Sequence, residues 1–137
     1  MAKLTDQPVG QDCFHLSLHA AAHGTWTPNT DVYETPDQIV VRMEVAGVEA
    51  GSLELTLTER LLVVRGSRPD PCRVGRCQFR QMEIDYGAFE RRIVVPCAVD
   101  GAQARAVLGN GFLQIDLPKR AGAALTTVSI VIVPSGC

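Results

Sequence analysis

His15, His19 and His23 recur every four residues, so a helix through this stretch would present three imidazoles on one side, with Cys13 close by. Imidazole and thiolate at such spacing are ligands for zinc or copper. The stretch is too short to hold as a lone helix in water, and only Asp12 is at hand to orient an imidazole. We therefore read the histidines as the polar side of an apolar arm and expect no metal. Cys72 and Cys77, with four residues between them, could be half of a zinc site or a redox pair, but no second pair follows them. Glu83, Asp85 and Glu90 could supply general acid–base chemistry, but on strands they read as solvated charges. No serine sits in a nucleophile-elbow context, and all three histidines precede residue 24. No glycine-rich loop is built to cradle phosphate. The expectation is a protein without catalysis and without cofactors.

A chain of 137 residues suits one domain with short flanks. Hydrophobic residues make up 46% but aromatics only 5%, so the core must be aliphatic. Branched aliphatic residues favour strands. Lys and Arg total 13 against 15 acidic residues, a net charge of −2, which leaves no electrostatic footprint for nucleic acid or an anionic membrane. No run approaches the roughly 18 apolar residues of a membrane span. The N-terminus lacks the pattern of an export signal, so the expected location is the cytoplasm. The five cysteines (Cys13, Cys72, Cys77, Cys97, Cys137) are expected to stay reduced there.

Residues 1–27 read as an N-terminal arm. Phe14, Leu18, Ala21 and Ala22 fall at helical spacing, ended by Gly24 and Pro28. From residue 30 the period becomes two. Strands are expected over 31–35, 38–46, 52–58 and 61–66, with Leu53, Leu55 and Leu57 on one face. A loop with two prolines follows over 67–77, and residues 78–84 could form a strand within or beyond it. Residues 89–95 read as a strand stopped by Pro96. Strands over 102–108 and 112–117 flank Asn110-Gly111, a strong hairpin signal. Turns at this spacing argue for an all-β, immunoglobulin-like antiparallel β-sandwich over residues 28–120.

Residues 121–137 read as a flexible tail that ends in a β-branched run, Val128-Ser-Ile-Val-Ile-Val-Pro134. Such a run is uncomfortable alone in water and should add to a sheet edge or apolar groove, its own or a neighbour's.

Several of these segments together resemble the small heat-shock protein (α-crystallin domain) family: Gly87-x-Phe89-x-Arg91, Ala106-Val-Leu-Gly-Asn110-Gly111-Phe-Leu and Pro118-Lys119, with Gly66-Ser-Arg68 and Ala46-Gly-Val48 earlier in the chain. The resemblance covers about residues 28–133. Ala46 stands where the family has Pro, Ser67 where it has Glu, and Val95 and Phe112 where it has Leu and Val. The arm is short for the family, and Phe14 and Trp26 are its aromatic residues. The resemblance implies that Cys77, Gln78, Phe79, Arg80, Gln81 and Met82 form a strand that swaps into a partner subunit to make a dimer. It also implies that Ile130 and Ile132 are a tail anchor for further assembly, docking in a groove that corresponds to Leu53, Leu55, Leu57, Ala104 and Ala106. A one-residue shift, through Val131 and Val133, is the alternative register.

The function implied is that of an ATP-independent chaperone that holds partly unfolded proteins and prevents their aggregation. Mobile apolar arms suit that task, because burying roughly 25 cal/mol per Å² of apolar surface is enough to capture an unfolding client. Phe14, Leu16, Leu18 and Trp26 are the candidate client contacts. The expected partners are such clients and further copies of this chain, with no nucleic acid and no stable membrane insertion. The alternative is a β-sandwich co-chaperone or adaptor domain that shares the fold without holding clients.

Overall fold

The computed structural model describes residues 26–72, 77–120 and 127–136. Strands β1 (Thr30–Glu34) and β2 (Gln38–Glu44) form a hairpin. The Thr35 hydroxyl accepts from the Asp37 and Gln38 amides across the turn, and Pro36 has no amide to leave unsatisfied there. In β2 the alternation buries Ile39, Val41 and Met43 completely. Strands β6 (Arg105–Gly109) and β7 (Phe112–Pro118) form the hairpin that Asn110-Gly111 signals, with φ of 53° and 82° at the two turn residues. Both angles lie in the left-handed region that Asn and Gly tolerate best. β7 pairs with β2, setting Leu113, Ile115 and Leu117 beside Met43, Val41 and Ile39.

The second sheet holds β3 (Glu54–Thr58), β4 (Leu61–Arg68) and β5 (Gly87–Val94), all antiparallel. Its inner face carries Leu55, Leu57, Leu62, Val64, Phe89 and Ile93 into the shared core. Gly66 has a steric reason to be glycine. A Cβ there would stand 2.7 Å from the Phe89 ring and 2.8 Å from Leu53, so the buried Phe89 ring packs directly on its backbone.

The tail adds two short strands. β8 (Thr127–Ser129) runs antiparallel beside β3, and β9 (Ile132–Pro134) runs parallel beside β6. The strand orders are β9-β6-β7-β2-β1 and β5-β4-β3-β8. The architecture is the expected sandwich of two sheets, antiparallel throughout except where the tail lies along β6.

Two expectations need correction. Residues 78–84 form no strand within the chain: residues 77–86 run as irregular chain and pair with neither open edge, β1 or β5. The segment that was to begin at residue 102 starts instead with a 3-10 turn, Gly101–Gln103, capped by the Asp100 carboxylate on the Ala102 amide. Cys72 and Cys77 lie close together, with Cα atoms 6.0 Å apart, a separation that a disulfide would span if the two thiols were oxidised. Cys97 is a half-buried free thiol.

Candidate functional site

Among the described residues the chemistry-bearing candidates do not converge. Glu90 lies under two guanidinium groups on the outer face of the second sheet, 2.7 Å from Arg65 Nε and 2.8 Å from Arg92 Nη1. The Glu83 carboxylate accepts from Gln81, and at Asp85 it is the backbone carbonyl that accepts from Arg68. The three histidines and Cys13 lie outside the described residues, as do Phe14, Leu16 and Leu18. Among the described residues, two sheet edges carry the apolar surface that bears on function.

The first is the cleft between the edge strands β3 and β6, one from each sheet. The tail crosses it. Leu57 pairs with Val128 and Thr56 with Ser129. The Ile130 amide donates to the Leu55 carbonyl at 3.1 Å. Ile132 then pairs with Ala106 on the opposite sheet, and the Ser135 amide donates to Leu108 at 2.8 Å. Period-two alternation turns Val128, Ile130 and Ile132 inward. Ile130 keeps only 7% of its surface and joins the core, whereas Val131 between the isoleucines is 78% exposed. The inward register is therefore that of Ile130 and Ile132, not of Val131 and Val133. Leu55, Leu57 and Ala106 line the cleft, and Ala104 packs against the core beside it. Leu53 is buried beyond the paired stretch, against Gly66 and Phe89.

The second edge is β1, which pairs with β2 on one side; among the described residues no strand pairs with its other side. Val32 and Tyr33 on this strand are exposed. The irregular segment 77–86 carries a matching load of apolar surface: Phe79 is exposed, Met82 is 51% exposed and Ile84 57%. Its far end is firmly tied. Arg68 Nε donates to the Asp85 carbonyl and Arg68 Nη1 to the Ala46 carbonyl, each at 2.8 Å.

The same arginine explains why Trp26 does not belong with the arm's client contacts. The indole is only 4% exposed, its Nε1 donates to the Gly87 carbonyl at 2.8 Å, and its ring meets Phe89 edge-on at 5.1 Å. The Arg68 guanidinium stacks 3.9 Å above it. A buried indole with its N–H satisfied is a core residue, and Trp26 closes the end of the sandwich. Phe112 has a comparable partner in Arg42, 4.2 Å over the ring, so the aromatic replacement there gains a cation–π contact. Sequence reading missed Val128 as a third inward residue of the tail, although the pattern Val-x-Ile-x-Ile carries the signal.

The profile of the Hsp20/alpha crystallin family matches residues 31–133. Among relatives, Spore protein SP21 of Stigmatella aurantiaca is 35% identical over 114 residues, covering 80% of this chain and 68% of that protein. Small heat shock protein C2 of Rickettsia felis is 25% identical over 93 residues, covering 68% of this chain and 60% of that one. The chain thus spans under two thirds of some relatives it matches. Among solved structures, a small heat-shock protein from Xylella fastidiosa superposes with a TM-score of 0.64 at 29% identity, over 74% of this chain and 93% of that one. The HspA protein of Xanthomonas axonopodis superposes with a TM-score of 0.65 at 30% identity, over 72% and 98%. A sandwich whose tail docks across two edge strands, matched over nearly all its described length by this profile, belongs to the Hsp20/alpha crystallin family.

Proposed function

We propose that this protein is a cytoplasmic, ATP-independent holdase that binds partly unfolded proteins and limits their aggregation without chemical turnover. The observation that carries the reading is the tail: a β-branched strand seated in an apolar cleft by two runs of backbone pairing and one deeply buried side chain, Ile130. Such a strand is held by few contacts compared with the core hairpins, and a neighbouring copy's tail fits the same cleft as well as the chain's own. Docking and release would then expose or cover apolar surface without any nucleotide.

In this reading residues 77–82 pair along the β1 edge of a second subunit, where Phe79 and Met82 meet Val32 and Tyr33, and so make a strand-exchanged dimer. Ile130 and Ile132 link dimers through the cleft of Leu55, Leu57 and Ala106. The arm's Phe14, Leu16 and Leu18 contact clients. The test is light scattering of a heat-labile protein warmed with the chain at near-equal molar ratio and no ATP. Suppressed scattering is the expected result; undiminished scattering across a tenfold excess would leave an adaptor domain as the better account.

A further inference from the structure

Two glycines stand at opposite ends of the tail cleft, and neither needs to be glycine for its backbone. The described positive-φ glycines are Gly47, Gly87 and Gly111; Gly101 and Gly109 are not among them. Gly101 opens the 3-10 turn before β6 and Gly109 closes β6, so alanine would suit both backbones as well or better. At Gly109 it is the tail that excludes a side chain, and at Gly101 the tail together with Leu57 crowds one. A Cβ on Gly101 would stand 3.0 Å from Val128 Cγ2 and 3.3 Å from Leu57. A Cβ on Gly109 would stand 2.1 Å from Ser135 Oγ and 2.6 Å from Ser135 Cβ. The second clash falls where the Ser135 amide bonds Leu108, so it could not be relieved without disturbing that pairing.

We propose that Gly101 and Gly109 are a pair of notches that select this chain's own C-terminal segment, in the same or a second copy, by admitting Val128 at one end and Ser135 at the other. Docking is therefore read over residues 128–135, four side chains in all, and not by Ile130 and Ile132 alone. A groove with alanine at both positions rejects this tail, and a tail lacking Val128 leaves a void over Gly101. The inference rests on the tail-docking reading above.

The test is hydrogen–deuterium exchange of the full-length protein, resolved to the Ile130 and Ser135 amides, for Gly101→Ala, Val128→Ala, Gly109→Ala, Ser135→Gly and the doubles G101A/V128A and G109A/S135G. Overpacking of this degree should speed exchange of the nearer tail amide by about tenfold in each glycine variant. Each double should recover most of that protection, because the removed tail atoms are those the new methyl would strike. Core amides of β2 should stay protected throughout, which reports that the fold is intact. Unchanged protection in G109A, or no recovery in G109A/S135G, overturns the notches while leaving docking standing. Tail amides that exchange freely in the unsubstituted protein would overturn docking itself, and the notches with it.

Discussion

Along β3 and β6 the chain supplies its own cover, whereas along β1 it supplies none. The tail cleft is filled by a strand whose inward residues alternate, whose amides find carbonyls on both sheets, and whose Ile130 is as buried as the core. At β1 the backbone edge is open on one side, and the nearby candidate to fill such an edge, residues 77–86, stays irregular with Phe79, Met82 and Ile84 in solvent. Both are apolar edges of the same sandwich. The difference is reach. Past Arg120, whose amide is fixed on Ala98, residues 127–129 pair with β3 and residues 132–134 with β6. Residues 77–86 are held at their C-terminal end, where Arg68 bonds the Asp85 carbonyl and Trp26 the Gly87 carbonyl, and they pair with no described strand of their own chain. One edge suits a reversible, self-covering contact and the other a contact between copies.

The sharpest break in that comparison is Trp26, which anchors the far end of segment 77–86 through Gly87. Trp26→Ala should cost about 3–5 kcal/mol of stability, seen as a lower midpoint in chemical unfolding. A client-contact residue in a free arm would leave the midpoint unmoved, so an unchanged midpoint would return Trp26 to the arm. Gly66→Ala probes the core that both edges share. With the Phe89 ring 2.7 Å from the new methyl, about 1–3 kcal/mol should be lost, again read by unfolding.

Met82→Asp tests the open edge alone. Met82 is half exposed, so the isolated fold should change by no more than about 0.5 kcal/mol. If the segment pairs with a second subunit, the dimer dissociation constant should nevertheless rise by about tenfold or more, measured by sedimentation over a dilution series. Equal dimer affinity in the variant would remove residues 77–82 from the interface. The smallest effect belongs to Lys119→Ala, which breaks the bridge to Glu34 between β7 and β1. Glu34 is half exposed, so thermal unfolding should register about 0–1 kcal/mol, less at high salt.

Much of the sandwich was legible because it is written in short range. Alternation in 38–44 and 54–58 marks the buried faces directly, and Asn110-Gly111 specifies its hairpin by backbone conformation. The inward register of the tail was open to the eye only in part: both isoleucines were visible, but Val131 and Val133 fit the same pattern until the partner strands set the pleat. Its parallel landing on β6 depends on residues some twenty-five positions away and leaves no local trace. Trp26 was misread for the same reason, since the residues before it read as an arm and its burial is decided by Arg68, Gly87 and Phe89. Residues 78–84 have the composition of a strand, but composition does not supply a partner.

The central claim is that the tail cleft is a working contact, in which Ile130 and Ile132 hold dimers together in a larger assembly. The direct measurement is multi-angle light scattering of the full-length protein beside I130G/I132G at the same concentration. The account predicts a mass above the dimer for the unsubstituted chain and a folded dimer for the double variant. An undiminished large assembly in the double variant would contradict it.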